Sequence, residues 1–154
     1  ENLRCEGVGV REINKIWRKR QQIHFNGPSN IAQAGGIEIL SADGVLDVEN
    51  ATDYYLDNAR LIKQSLAQIG IKSWGGENAP YVWARTPEKN GHRLTSWETF
   101  DHMLENAGVI VTPGVGFGPG GEGYIRFSAF GDRENNQIAM RAVNIAIRAI
   151  QTRF

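Results

Sequence analysis

The chain has 154 residues, 41% of them hydrophobic and 22% charged, so it can bury one core and has an ordinary globular composition. The 17 basic and 17 acidic side chains cancel, which argues against broad electrostatic binding to nucleic acid or to anionic membranes. The single cysteine, Cys5, excludes an internal disulfide and favours a reducing compartment such as the cytoplasm.

The first third of the chain carries weak structural signals. Residues 1–13 show little periodicity and are predicted to be irregular. The first residue is not methionine, so we expect the chain to be a piece of a longer protein, and no run is apolar enough to span a membrane. A helix is predicted over residues 28–40, since proline favours the first turn of a helix.

The clearest helix is predicted over residues 55–69, and Gly70 ends it. Its apolar residues recur at intervals of four, three, four and three, which places them on one helical face: Tyr55, Ala59, Ile62, Leu66 and Ile69. Two strands are predicted after it, over residues 71–74 and 81–85, and a polar loop over residues 87–93.

Two further helices have recognisable N-terminal caps. Thr95 and Glu98 have the spacing of a capping box, and Asp132 can cap the last helix. Apolar residues share one face of each helix: Trp97, Phe100, Leu104 and Ala107 in the first, and Ile138, Ala142, Ile145 and Ala149 in the second. Strands are predicted over residues 109–112 and 124–129, on either side of a glycine-rich loop.

This order of elements predicts an α+β fold, a two-layer sandwich in which helices cover one face of a small mixed sheet. The strand at 81–85, the first capped helix and the strand at 109–112 form a β-α-β unit, which favours a parallel pair with a right-handed crossover. We expect residues 1–50 to form an N-terminal segment and connecting helix region, and residues 51–154 to form the α+β domain.

Segment 112–131 is the most informative part of the chain, because an arginine interrupts an apolar strand directly after a glycine-rich loop. On this strand Tyr124, Arg126 and Ser128 share one face, and apolar residues alternate with them on the other. A buried arginine needs a partner, and its usual partner is a carboxylate held by two parallel hydrogen bonds. We therefore predict that Arg126 binds a small acidic ligand.

Two alternatives stay open at this segment. Glu122 and Asp132 are close enough in sequence to form an internal ion pair with Arg126. The six glycines from Gly114 to Gly123 permit either a plain turn or a close backbone approach to a ligand or a partner chain. A dinucleotide loop is excluded, because that motif opens a helix and these glycines lead into a strand.

Asn26 is the other candidate binding residue, since its amide can either stabilise a turn or contact a ligand. The three histidines, His24, His92 and His102, have no metal-ligand spacing among themselves or with Cys5, so no metal site is predicted. No sequence motif of a serine nucleophile or a phosphate-binding loop is present.

Three segments resemble the C-terminal part of the LL-diaminopimelate aminotransferases, which are fold-type I pyridoxal-phosphate (PLP) enzymes: FNGPSNIAQAG, WGGENAPYVW and above all GFGPGGEGYIRFSAFG. The resemblance extends over residues 17–147. It implies that residues 51–154 are the small domain of such an enzyme. It also implies that Arg126 binds the substrate α-carboxylate and that Asn26 binds cofactor and substrate.

The same resemblance implies an amino-group transfer in lysine biosynthesis. Glutamate and tetrahydrodipicolinate would give LL-diaminopimelate and 2-oxoglutarate, with PLP as cofactor, in a cytoplasmic homodimer or in the plastid stroma of a plant. The family's PLP-binding lysine and large domain are absent from this sequence, so we expect no catalytic residue here and no activity of the chain alone. The alternative is a non-catalytic carboxylate-binding or regulatory module derived from an aminotransferase. Neither nucleic acid nor membrane is expected as a partner.

Overall fold

The computed structural model describes residues 10–25 and 27–151. The chain divides after Asp47 into two compact units. In the described part, the unit before this point is helical, and the unit after it contains a sheet. Among the described residues, no helix combines the length and the apolar character needed to cross a membrane.

The first unit consists of helix α1 (Val10–His24), helix α2 (Asn30–Ile39) and the start of helix α3 (Ala42–Ala67). The prediction of irregular structure over the first 13 residues is wrong for residues 10–13, and residues 1–9 lie outside the described part. Ile13, Ile16 and Trp17 recur at helical intervals. They mark the helix that the prediction overlooked.

The predicted helices over residues 28–40 and 55–69 are both present, with different starting points. Ser29 caps α2, and its hydroxyl accepts a hydrogen bond from the backbone N–H of Ala32 at 3.3 Å. Helix α3 is much longer than predicted, because it already begins at Ala42.

The described part of the second unit contains six short strands: β1 (Ser73–Gly75), β2 (Tyr81–Arg85), β3 (Glu88–Lys89), β4 (His92–Arg93), β5 (Thr112–Pro113) and β6 (Tyr124–Ser128). Four of them form one sheet in the order β1-β2-β6-β5. The other two form a hairpin where a polar loop was predicted. Asn90 and Gly91 adopt positive φ at its turn, as a two-residue hairpin turn requires.

The sheet is antiparallel at every pair of neighbours and does not contain the predicted parallel pair. Strands β2 and β5 run in the same direction, but β6 lies between them and pairs with β2 along five residues. In place of the strand predicted over residues 109–112 the structure has the two-residue strand β5, and the backbone N–H of Val109 donates to the carbonyl of Met103. The α+β class is confirmed, with helices on a small sheet.

Three helices cover one face of the sheet: α3, α4 (Ser96–Ala107) and α5 (Arg133–Gln151). The helices contribute Ala59, Ile62, Leu66, Met103, Met140, Val143 and Ile147 to the core, and the strands contribute Val82, Ala84, Ile125 and Phe127. The predicted apolar face of α3 is the buried one, although Tyr55 at its start is only partly covered.

Helix α5 buries a different face from the one predicted. Ile138 and Ile145 are 57% and 72% exposed, whereas Met140, Val143 and Ile147 lie in the core. The helix has apolar residues on both sides, so its periodicity allows two candidate faces. Packing against the sheet selects one of them.

Both predicted N-terminal caps are confirmed. Thr95 and Glu98 form a reciprocal capping box, and hydrogen bonds from the backbone N–H and then the hydroxyl of Thr95 lower the pKa of the Glu98 carboxyl. Asp132 accepts hydrogen bonds from two backbone N–H groups at the start of α5. The predicted apolar face of α4 is only partly buried, since Trp97 and Leu104 are exposed.

Candidate carboxylate-binding site

The candidate site lies on the face of the sheet opposite the helices. Strands β2 and β6 pair along five residues, and their side chains project alternately to the two faces. The predicted division of β6 is confirmed, because Ile125 and Phe127 are buried in the core while Arg126 lies on the other face. Trp83 of β2 lies directly opposite Arg126 in the register.

Two aromatic rings contact the guanidinium group of Arg126. Its Cζ atom lies 4.4 Å from the ring centroid of Tyr81 and 4.6 Å from that of Phe117. Phe117 also packs edge-on against Trp83, with 5.2 Å between the two centroids. Rings at these distances attract a cation through their π electrons, so they hold the guanidinium group in place and leave its N–H donors available.

Arg126 has no acidic partner among the described residues. Its guanidinium group forms no ion pair and no hydrogen bond there, and its Nε atom is buried without an acceptor. Buried donors without acceptors are unfavourable and rare in folded proteins. A carboxylate can accept two parallel hydrogen bonds from a guanidinium group, so the arrangement suits a small acidic ligand.

Both candidate internal partners of Arg126 make other contacts. The Glu122 carboxylate accepts hydrogen bonds from the backbone N–H of Ser96 at 2.6 Å and from that of Gly123 at 2.9 Å. These two bonds, in that order of size, lower the pKa of Glu122. Asp132 caps the last helix instead. The alternative of an internal ion pair is therefore wrong.

The glycine-rich loop forms two short 3₁₀ turns and then enters β6. A Cβ atom on Gly121 would lie 2.0 Å from the carbonyl oxygen of Gly114, and one on Gly114 would lie 2.2 Å from that of Gly121. A Cβ atom on Gly116 or Gly120 would meet nothing within 4 Å. The close approach is thus between the two ends of the loop, and it places Phe117 beside the guanidinium group.

The structure leaves one predicted site residue unplaced and adds two others. Asn26 lies outside the described residues. Tyr81 and Phe117 were missed as site residues. The alternation of β2 puts Tyr81 on the outer face with Trp83, which is a signal that the sequence carries. The direction of a loop side chain such as Phe117 has no comparable signal. Among the described residues, no group of three potential metal ligands occurs.

Comparison with known families and proteins adds independent evidence. The family model described as aminotransferase class I and II matches residues 8–143. The LL-diaminopimelate aminotransferases of Bacteroides thetaiotaomicron and Bacteroides fragilis are each 47% identical over 131 residues, which is 85% of this chain and 31% of each relative.

Solved structures give the same picture. L,L-diaminopimelate aminotransferase from Chlamydomonas reinhardtii matches with a TM-score of 0.80 and 38% identity, over 88% of this chain and 32% of that chain. An aromatic aminotransferase from Pyrococcus horikoshii matches with a TM-score of 0.75 and 25% identity, over 92% of this chain and 36% of that chain. This chain thus spans about a third of the length of the relatives that it matches.

Proposed function

Because the chain belongs to the class I and II aminotransferase family, we propose that it is the C-terminal portion of an LL-diaminopimelate aminotransferase. In this proposal, the complete protein uses PLP to transfer an amino group from glutamate to tetrahydrodipicolinate, as a homodimer. The 47% identity to relatives of that name supports this substrate assignment. Residues 51–154 are proposed to be the small domain.

The surroundings of the Arg126 guanidinium group are the observation that supports a binding role most directly. Its guanidinium group rests against two rings and meets no acid among the described residues. We assign it the α-carboxylate of the amino-acid substrate. Two parallel hydrogen bonds would fix the direction of the carboxylate, and the rings of Tyr81 and Phe117 would keep the guanidinium group from rotating away.

The lysines of this chain do not suit the cofactor. A lysine that reacts with a carbonyl is usually desolvated in an apolar pocket. Lys63 forms an ion pair with Glu77 at 3.0 Å, and the others are exposed: Lys15, Lys19, Lys72 and Lys89. The described residues therefore fit the substrate carboxylate and do not fit PLP, which when bound supplies an electron sink.

We accordingly propose that the part of the protein outside this chain holds the cofactor and performs the proton transfers. This chain contributes substrate binding through Arg126. Asn26 is proposed to contact cofactor and substrate, on the strength of the resemblance in FNGPSNIAQAG alone.

Steady-state transamination by the complete protein tests this proposal. Arg126→Lys is expected to lower kcat/KM by about tenfold to a hundredfold, or about 1–3 kcal/mol, because lysine cannot form two parallel hydrogen bonds. Arg141→Lys, at an exposed position of α5, is the matched control and should leave kcat/KM unchanged. Equal kinetics of the Arg126→Lys variant and the parent would contradict the assignment.

The second candidate function is a carboxylate-binding module without catalysis. One observation favours it: Arg126, Tyr81 and Phe117 all belong to the second unit, so the carboxylate site is contained in this chain. Activity that returns when the missing segment is supplied would identify an enzyme fragment. Millimolar or tighter binding of glutamate by the chain alone would identify a module, provided that no activity is found with or without the missing segment.

A further inference from the structure

A second cluster of cations lies beside the β3–β4 hairpin. Lys72, Arg85 and Arg93 line a concavity of about 440 Å³ with a single carboxylate, that of Glu88, and Arg126 is not among its lining residues. A concavity of this size can accept a small molecule. The excess of positive side chains makes an anion the complementary ligand.

The acid of this concavity is already engaged. Glu88 pairs with the Nη2 atom of Arg93, whose Nη1 atom donates to the backbone carbonyl of Thr86 at 2.8 Å. Arg93 therefore has both a charged and a neutral acceptor. Glu88 therefore does not serve as the ion-pair partner of Lys72 or Arg85.

Those two cations are neighbours of like charge. The backbone N–H of Arg85 donates to the carbonyl of Lys72 at 2.9 Å, one position beyond the pair of Ser73 and Ala84. Like charges on directly opposed strand positions repel each other. In the part of the chain that the structure describes, neither Lys72 nor Arg85 forms an ion pair.

Arg85 also keeps most of its hydrogen-bonding capacity. Its guanidinium group makes one hydrogen bond within the described residues, from Nη1 to the hydroxyl of Tyr124 at 3.2 Å, and its Nε atom has no acceptor. Its Cζ atom lies 5.2 Å from the Tyr124 ring centroid, so the group is held in place as Arg126 is. A guanidinium group has five N–H donors, which leaves several for a ligand.

We propose that Lys72 and Arg85 bind a small dianionic oxyanion, such as a phosphate or dicarboxylate group, in this concavity. The ligand would relieve the repulsion between the two cations and accept hydrogen bonds from both. The Arg93–Glu88 pair bounds the concavity and limits the charge that it accepts. This site is additional to the proposed substrate site and does not depend on it.

Nuclear magnetic resonance titration of the 154-residue chain tests the proposal. Inorganic phosphate and succinate serve as separate probes at constant ionic strength, and the Arg85 Nε–Hε signal is followed. We expect a saturable shift with at least one probe. Lys72→Gln and Arg85→Gln should each weaken binding about tenfold or more, because each removes a charged donor. Glu88→Gln should tighten binding.

Arg141→Gln is the control, since it removes the same charge from an exposed position on α5 and should leave binding unchanged. Lys72 is itself exposed, so its variant reports on binding even if Arg85→Gln unfolds the chain. The proposal is overturned if neither probe gives a saturable shift. It is also overturned if Arg141→Gln weakens binding as much as Lys72→Gln does, since the attraction would then be nonspecific.

Discussion

The two faces of the central β2–β6 strand pair share one backbone and have opposite chemistry. On the inner face Val82, Ala84, Ile125 and Phe127 are buried against three helices. On the outer face aromatic rings contact the guanidinium groups of two arginines, Arg85 and Arg126, that have no acidic partner among the described residues. Because side chains alternate along a strand, one short segment can serve folding and binding at once. Substitutions at neighbouring positions should therefore have very different effects.

The largest expected effect is on the inner face. Ile125 is 1% exposed and lies in the core, so Ile125→Ala removes buried methyl groups and leaves a cavity. We expect the free energy of unfolding to fall by about 2–5 kcal/mol, measured by urea denaturation of the chain. Ser128→Ala, at an exposed outer-face position of the same strand, should change it by less than about 0.5 kcal/mol. Similar losses for both variants would contradict the division between the faces.

The next effect concerns the loop that carries Phe117 to the outer face. Gly121→Ala places a Cβ atom 2.0 Å from the Gly114 carbonyl oxygen, so the ends of the loop must separate. We expect a loss of about 1–3 kcal/mol in unfolding free energy. Gly120→Ala is the matched control, because a Cβ atom there meets nothing within 4 Å. If both variants retain parental stability by urea denaturation, the loop does not require the close approach seen here.

A smaller effect on stability is expected at Arg126 itself. Arg126→Met should change the unfolding free energy by less than about 1 kcal/mol, because it removes ring contacts and an unsatisfied donor together. Breaking a buried ion pair would instead lower it by about 3–5 kcal/mol. The urea midpoints of this variant and the parent distinguish the two cases. A loss in the larger range would show that Arg126 has an acidic partner after all.

The smallest effect is a pH dependence from two carboxylates outside the strands. Glu98 and Glu122 have pKa values below their usual 4.5 because backbone N–H groups donate to them. Groups with a lowered pKa in the folded state stabilise it above the unfolded pKa, and this stabilisation is lost as the pH falls through the folded value. We expect the urea concentration at the unfolding midpoint to decrease as the pH is lowered below about 4.5. The fall should be shallower in Glu122→Gln, and an unchanged slope would contradict this prediction.

The amino-acid sequence by itself determined the features that depend on neighbours along the chain. The buried face of α3, both N-terminal caps and the alternation of β6 follow from spacing and from short-range hydrogen bonds. Spacing therefore placed Arg126 on the outer face correctly. Spacing could not assign Arg126 a partner. It identifies the acidic residues that are near in sequence, but it does not show which other groups those acids contact.

The tertiary structure decided everything that involves competition between distant groups. Strand β6 lies between β2 and β5 and pairs with both, along five residues of β2 and two of β5. Helix α5 has two apolar faces, and packing on the sheet selects the one with Val143. Glu122 is held by the backbone of Ser96, which leaves Arg126 to the rings and to a ligand. Such outcomes depend on which contacts exclude others in three dimensions, and sequence spacing does not record that.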